Sequence, residues 1–274
     1  MTAPPRRARA ALSFWAAIAA FSAAGVSAGP RILSLDQCAD QYVLAIAPRV
    51  EIVALSRRAT QADSYLRGQA SGLPQIRADL EAVLAARPTI VVRWWGGDPS
   101  LLTTLRRRRI PVVSLKDATS FAEVRSNVRR VAAALGRSSA GEGLIAGMDR
   151  QLAVAAHAAA HAGALYITPS GETAGRGTLV DSILRSAGYA NLETGWGFRS
   201  VPLESLVLHP PAAVVAGFFD SDLSAQRWSE GRHGVLRGLV ARRTIVSLPA
   251  AVLACPAWFA GDAVARLAEA ARGR

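Results

Sequence analysis

Aromatic side chains make up only 6% of this sequence, lysine occurs once, at Lys116, and there are two cysteines and four histidines. Each shortage excludes something. His157 and His161 share an i, i+4 spacing but have no third ligand nearby, and His209 and His233 stand alone, so no metal centre is assembled. There is no G-x-S-x-G, no H-E-x-x-H and no Walker loop, which removes the common signatures of hydrolases and nucleotide-binding enzymes. The run Arg106 to Arg109 lacks interleaved aromatics and reads as a solvated helix end rather than a nucleic-acid surface.

What is present points to a packed protein. Hydrophobic residues are 51% of 274, enough for one large domain or two ordinary ones. The first 28 residues run from Arg6, Arg7 and Arg9 through the apolar ALSFWAAIAAFSAAGV to small residues at Val26-Ser27-Ala28, the order of a cleaved secretory signal. The apolar run is marginal for a membrane span, and no cysteine follows it directly, which argues against a lipid anchor. Cleavage would lower the formal charge from +12 by the three arginines and leave a basic protein outside the cytoplasm, in the periplasm; ordinary Sec export is expected over a twin-arginine route. Cys38 and Cys255 would then meet an oxidising compartment, where one bridge and two separate thiols are both compatible with the sequence.

From Arg31 onward, short β-branched runs alternate with amphipathic ones. RILSL (31–35), EIVALS (51–56), TIVVRW (89–94), IPVVSL (110–115), ALYIT (164–168), AAVVAG (212–217) and TIVSL (244–248) read as strands, with helical spacing between them. This predicts an α/β fold of two lobes, each a mostly parallel sheet flanked by helices. A proline-free stretch in the middle predicts one long connecting helix over 139–162, between an N-terminal lobe at 29–138 and a C-terminal lobe at 163–274.

The lobes repeat a phrase. LEAVLAARPTIVV (80–92) and LESLVLHPPAAVV (203–215) share Leu, Glu, a proline seven residues after the Glu, and Val-Val, so each lobe runs a helix into a strand through a proline. Glu81 and Glu204 occupy the same place in each copy. The few aromatics also repeat: Trp94-Trp95 and Phe218-Phe219 follow the two copies directly, at strand ends where open α/β sheets place ligands. Phe198 and Trp258 add to a set suited to a large planar ligand. The glycine-rich GETAGRGT (171–178) reads as a structural turn before a helix, with ligand contact second.

RILSLDQCADQ, the helix-Pro-strand phrase followed by WWGGDP, and TAGRGTLVDSIL resemble the periplasmic substrate-binding proteins of iron-complex and vitamin B12 ABC importers, over nearly all of the chain after the signal. The resemblance implies a non-enzymatic, monomeric capture protein without an intrinsic cofactor, with a ferric siderophore, heme or corrinoid held between lobes. It implies that Glu81 and Glu204 dock to a dimeric permease and that Trp94, Phe198 and Trp258 approach the ligand. An aromatic of the cobalamin binders is replaced here by Arg57-Arg58, which gives weight to an anionic ligand. The rigid connecting helix predicts a small closure of the cleft. Two other readings are a secreted chelatase or metal reductase on the same lobes, with Cys38 and Cys255 at the cleft, and a metal-ion-binding transport protein.

Overall fold

Strand and helix alternate from the first described residue, as the hydrophobic periods predict. This computed structural model describes residues 29–156, 161–220 and 234–272; the signal segment, His157 and His233 lie outside them. The N-terminal lobe comprises β1 (Ile32–Ser34), α1 (Gln37–Ile46), β2 (Ile52–Ser56), α2 (Arg67–Ala70), β3 (Gln75–Ile76), α3 (Leu80–Ala85), β4 (Ile90–Arg93), α4 (Pro99–Arg107), β5 (Val112–Ser114) and α5 (Phe121–Ala134). The connecting helix is α6 (Ser138–Ala156). The C-terminal lobe follows with β6 (His161–Ile167), β7 (Glu172–Ala174), α7 (Leu179–Ser186), β8 (Tyr189–Asn191), β9 (Phe198–Ser200), α8 (Leu203–Leu208), β10 (Ala213–Gly217), α9 (Gly234–Arg243), β11 (Thr244–Leu248), α10 (Ala250–Leu253) and α11 (Ala260–Arg272).

The N-lobe sheet has the order β3-β2-β1-β4-β5 and is parallel throughout. The C-lobe sheet, β11-β10-β6-β8, is also parallel, and β7 and β9 form a separate antiparallel ribbon. One apolar core runs through both lobes and includes Val128 on α5, Met148 on α6 and Leu267 on α11; two smaller cores lie on the outer faces of the sheets. Helix α6 packs between α5 and α11. Gly141 lets it come close, because a Cβ there would meet that of Ala132 at 2.5 Å.

The connecting helix is shorter than the sequence predicts. Its described residues run to Ala156, and His161 already belongs to β6, where it pairs with Tyr189. His161 is therefore not on the helix that the sequence predicts, and His157 lies outside the described residues.

Cys38 and Cys255 are bonded to each other across 217 residues, which closes the reading as separate thiols. The bond joins α1 of one lobe to the segment after α10 of the other. Noncovalent ties run beside it: Tyr42 donates to the Pro256 carbonyl at 2.8 Å, and Tyr65 and Gln151 both donate to Asp262 at 2.5 Å. Thus α6 is not the only element joining the lobes.

Candidate functional site

In an open parallel sheet the crevice forms where strand order reverses, outside the carboxyl ends of the two strands that flank the reversal. In the N-lobe these are β1 and β4, and in the C-lobe β6 and β10. The chain continues past those four strands into Asp36, Trp94, Thr168 and Phe218. The sheet order alone therefore brings both lobes' candidate residues to one place.

Local chemistry then fixes Trp94. Asp36 caps α1, its Oδ1 accepting from the Ala39 amide at 2.9 Å, and its Oδ2 accepts from the amides of Trp94 at 2.7 Å and Gly96 at 3.0 Å. The Trp94 Nε1–H donates to Asp117 at 2.7 Å, so the indole is held at both ends. Gly96 is required by contact, because a Cβ would lie 2.5 Å from the Leu35 carbonyl oxygen. Asp98 and Pro99 then start α4, the aspartate accepting from the Leu101 amide at 2.8 Å. The WWGGDP phrase is thus a device for turning β4 into α4 with a fixed tryptophan at the bend.

Between the lobes lies a cavity of about 830 Å³. Trp94, Asp117 and Thr119 line it from the N-lobe; Phe198, Phe218 and Glu172 line it from the C-lobe, and Ala254 and Pro256 beside the disulfide complete it. No arginine, lysine or histidine is among its described lining residues, whereas Asp117 and Glu172 are. The C-lobe wall adds the hydroxyls of Tyr166, Thr168, Ser170 and Thr178. Burial raises the Tyr166 phenol well above its ordinary pKa, with Glu172 adding to the effect, so it stays protonated. Its hydroxyl has no hydrogen-bond partner among the described residues. Phe218 sits on a left-handed backbone with φ 64°, an unusual conformation for a bulky residue and one that recurs at functional sites.

Three of the sequence candidates do not line this cavity for clear reasons, and a fourth faces elsewhere. Arg58 donates to Gln37 at 2.6 Å and pairs with Asp63 at 2.6 Å, while Arg57 is exposed on the same turn; neither guanidinium reaches the cavity wall. Trp258 is buried in the core beneath, edge-on to Tyr42 at 5.4 Å and to Phe259 at 5.3 Å. Trp95 follows Trp94 but is 59% exposed and outside the lining. Sequence reading missed Asp36, Asp117, Tyr166 and Glu172. The signal for Asp36 was present, an aspartate between a strand and a helix, but its second partner, Trp94, lies 58 residues away.

GETAGRGT is a turn that also touches the cavity. Thr178 caps α7 by accepting from the Asp181 amide at 3.1 Å, and Gly177, at φ 72°, lies under the Trp196 ring where a Cβ would clash at 2.4 Å. Gly177 and Thr178 both line the cavity.

Glu81 and Glu204 are the second residues of α3 and α8, both exposed. Neither has a hydrogen-bond or ion-pair partner among the described residues. Under the cleft, Asp40 is buried and accepts from Ser34, from the Ser56 amide at 2.9 Å and from the Ser56 hydroxyl at 2.5 Å. Desolvation raises its pKa to about 6 despite those donors. Among the described residues no group of three or more His, Cys, Asp or Glu gathers to hold a metal ion, and no helix is long and apolar enough to cross a membrane.

No curated protein matches the chain in sequence. Among solved structures it is similar to the periplasmic heme-binding protein RhuT from Roseiflexus sp. RS-1, at 23% identity and a TM-score of 0.67, covering 89% of this chain and 100% of that one. It is also similar to the periplasmic heme-binding protein HutB of Vibrio cholerae, at 16% identity and TM-score 0.71 over 88% of this chain and 98% of the other. A third is the periplasmic vitamin B12-binding protein BtuF of Vibrio cholerae, at 17% identity and TM-score 0.59, over 89% and 96%. At these identities the likeness speaks to fold. The family pattern described as periplasmic binding protein matches residues 37–251, most of the chain, and the protein belongs to that family.

Proposed function

We propose that this protein captures a planar metal chelate in the periplasm and delivers it to an ABC permease, with Glu81 and Glu204 as the two docking points. The observation that carries the reading is the cavity between the lobes, walled by a tryptophan held at both ends and by two phenylalanines. Flat rings on opposite walls suit a macrocycle whose faces are apolar and whose rim is polar.

The rim chemistry favours one class of chelate. Asp117 and Glu172 repel the carboxylates of heme and the anionic oxygens of ferric siderophores, and no described cation in the lining offsets them. A corrinoid, fringed with amides, meets hydroxyl donors and carboxylate acceptors without a charge conflict. This reverses the weight that Arg57 and Arg58 gave to an anionic ligand. The second linkage between lobes, disulfide and tyrosines together, supports a largely preformed cleft with small closure.

Absorbance titration and native mass measurement with cyanocobalamin, hemin and a panel of ferric siderophores test this. Tighter binding of the corrinoid is expected. Binding of hemin or a siderophore alone would overturn the rim argument, and binding of none would overturn the capture reading.

A further inference from the structure

A second concave surface lies along β5, the edge strand of the N-lobe sheet, and shares no lining residue with the cavity between the lobes. It is a groove of about 590 Å³ between α4 and β5, lined by the apolar Leu102, Ile110 and Val112 and by Arg93, Arg106 and Arg109. No carboxylate is among its described lining residues. Several N-lobe arginines are tied: Arg31 and Arg93 donate to carbonyls, and Arg58, Arg125, Arg129 and Arg137 each pair with an acid. Arg106 to Arg109 are all exposed and make no ion pair among the described residues. Four adjacent like charges repel one another, so they are held together at an electrostatic cost that an anion would relieve.

The backbone of β5 supplies the second half of the argument. Pro111 accepts from the Val91 amide at 3.0 Å and Leu115 donates to the Arg93 carbonyl at 2.7 Å, so the odd-numbered residues bond to β4. Strand alternation turns the N–H and C=O groups of Val112 and Ser114 outward, where no described residue bonds to them. An open strand edge, apolar lining residues and the unpaired Arg106 and Arg109 fit an added strand that carries acids.

We propose that the β5 edge is a docking site for an extended acidic segment of a partner protein, which adds to the sheet beside Val112 and Ser114 and pairs with Arg106 and Arg109. The site shares no lining residue with the cleft, and the proposal does not depend on what the cleft holds.

The test uses the whole protein and a fluorescein-labelled octapeptide of alternating Val and Asp, with its Val-Lys counterpart as control. Saturable, salt-sensitive binding of the acidic peptide alone is expected, with amide exchange slowed at Val112 and Ser114. Arg106→Glu with Arg109→Glu should weaken it roughly tenfold or more, since two charge-assisted contacts are lost. Ser114→Pro should weaken it by removing an outward donor while leaving the ladder to β4 and the circular dichroism spectrum intact. Absence of binding, equal binding of the lysine peptide, or binding without protection at Val112 and Ser114 would each overturn the proposal. Binding to phosphatidylglycerol vesicles or to an oligonucleotide, but not to the peptide, would overturn it in favour of a plain polyanion surface.

Discussion

The two copies of the helix-proline-strand phrase fold alike but are finished differently. In the N-lobe copy, Asp79 caps α3 by accepting from the Ala82 amide at 2.8 Å, and Val83 packs inward. In the C-lobe copy, Pro202 stands at the cap of α8 with no side-chain bond, and Val207 and Leu208 are 59% and 72% exposed. What the copies share divides into two kinds. Leu206, Val83, the prolines and the Val-Val pairs are accounted for by burial and helix termination. The glutamates are exposed and have no partner among the described residues; the helix dipole favours an acid in each first turn, and the proposed dock would add a reason for the same place in both lobes. The C-lobe copy, with apolar residues also exposed, is the one less complete by itself.

The largest expected effect follows from that contrast. Glu81→Ala with Glu204→Ala should abolish uptake in cells while leaving ligand affinity in vitro nearly unchanged, since neither residue lines the cavity. Of the single variants, Glu81→Ala should lose more uptake than Glu204→Ala, because the proposed C-lobe dock would retain the exposed Val207 and Leu208 as apolar contacts. Reduced ligand affinity with normal uptake would break the comparison at its root.

Next in size is the tie that makes the lobes one body. Replacing both Cys38 and Cys255 by serine releases a loop of 217 residues in the unfolded chain. A chain-entropy estimate puts the loss near 5 kcal/mol and the usual range lower, so about 4 kcal/mol is expected in urea melts. If the lobes were independent folding units, the variant would melt in two steps instead of one destabilised step.

Much of this arrangement was legible beforehand. All seven strands expected from β-branched runs form, and so do the helices between them, because their hydrophobic periods are set by burial on one or both faces. The short pieces β3, β7, β8 and β9 were not: β1 and β5 are as short but lie in apolar β-branched runs, whereas QI, ETA, YAN and FRS mix in polar residues and form no such run. The same divide runs through the site. Trp94 and Phe218, at strand ends, and Phe198, just before the second copy of the phrase, stood out as rare aromatics, and all three line the cavity. Asp117 was not, because its partner is an indole 23 residues away. Trp258 misled because an aromatic in a core and one in a cleft have the same sequence signature, and Arg58 misled because Gln37 and Asp63, which hold it aside, are distant in sequence.

Buried acid chemistry offers a third comparison, since among the described carboxylates the one with a raised pKa, Asp40, lies in the N-lobe. Its folded pKa, about 6, lies above the ordinary 3.8, so the native state holds the proton more tightly than the unfolded chain. The stabilisation this gives is fully present below pH 3.8 and is lost as pH rises through 6. Two pKa units correspond to about 3 kcal/mol. Asp40→Asn, neutral at every pH and still able to accept from Ser56, should flatten the stability profile between pH 4 and pH 7 and leave the variant more stable than wild type at neutral pH. A profile that stays parallel to wild type would show that Asp40 is already relieved by its hydrogen bonds.

The smallest effect returns to the two caps. A helix start leaves its first amides without intrahelical partners, and an aspartate at the cap satisfies one of them. Asp79→Ala removes such a bond from α3 and should cost about 1 kcal/mol, whereas Pro202→Asp supplies one to α8 and should gain a similar amount, about 1 kcal/mol. The φ of Pro202, −63°, lies within reach of aspartate, so the substitution asks for no new backbone. Urea melts read both. The physiological readout is more telling: Pro202→Asp should raise stability without raising uptake if the open end of α8 serves the docked state, and should raise both if the missing cap is only an unoptimised helix start. Because Glu204 lies two residues on, the added carboxylate also brings a second negative charge to the face proposed to dock, so Pro202→Ser, which caps without charge, separates the two causes.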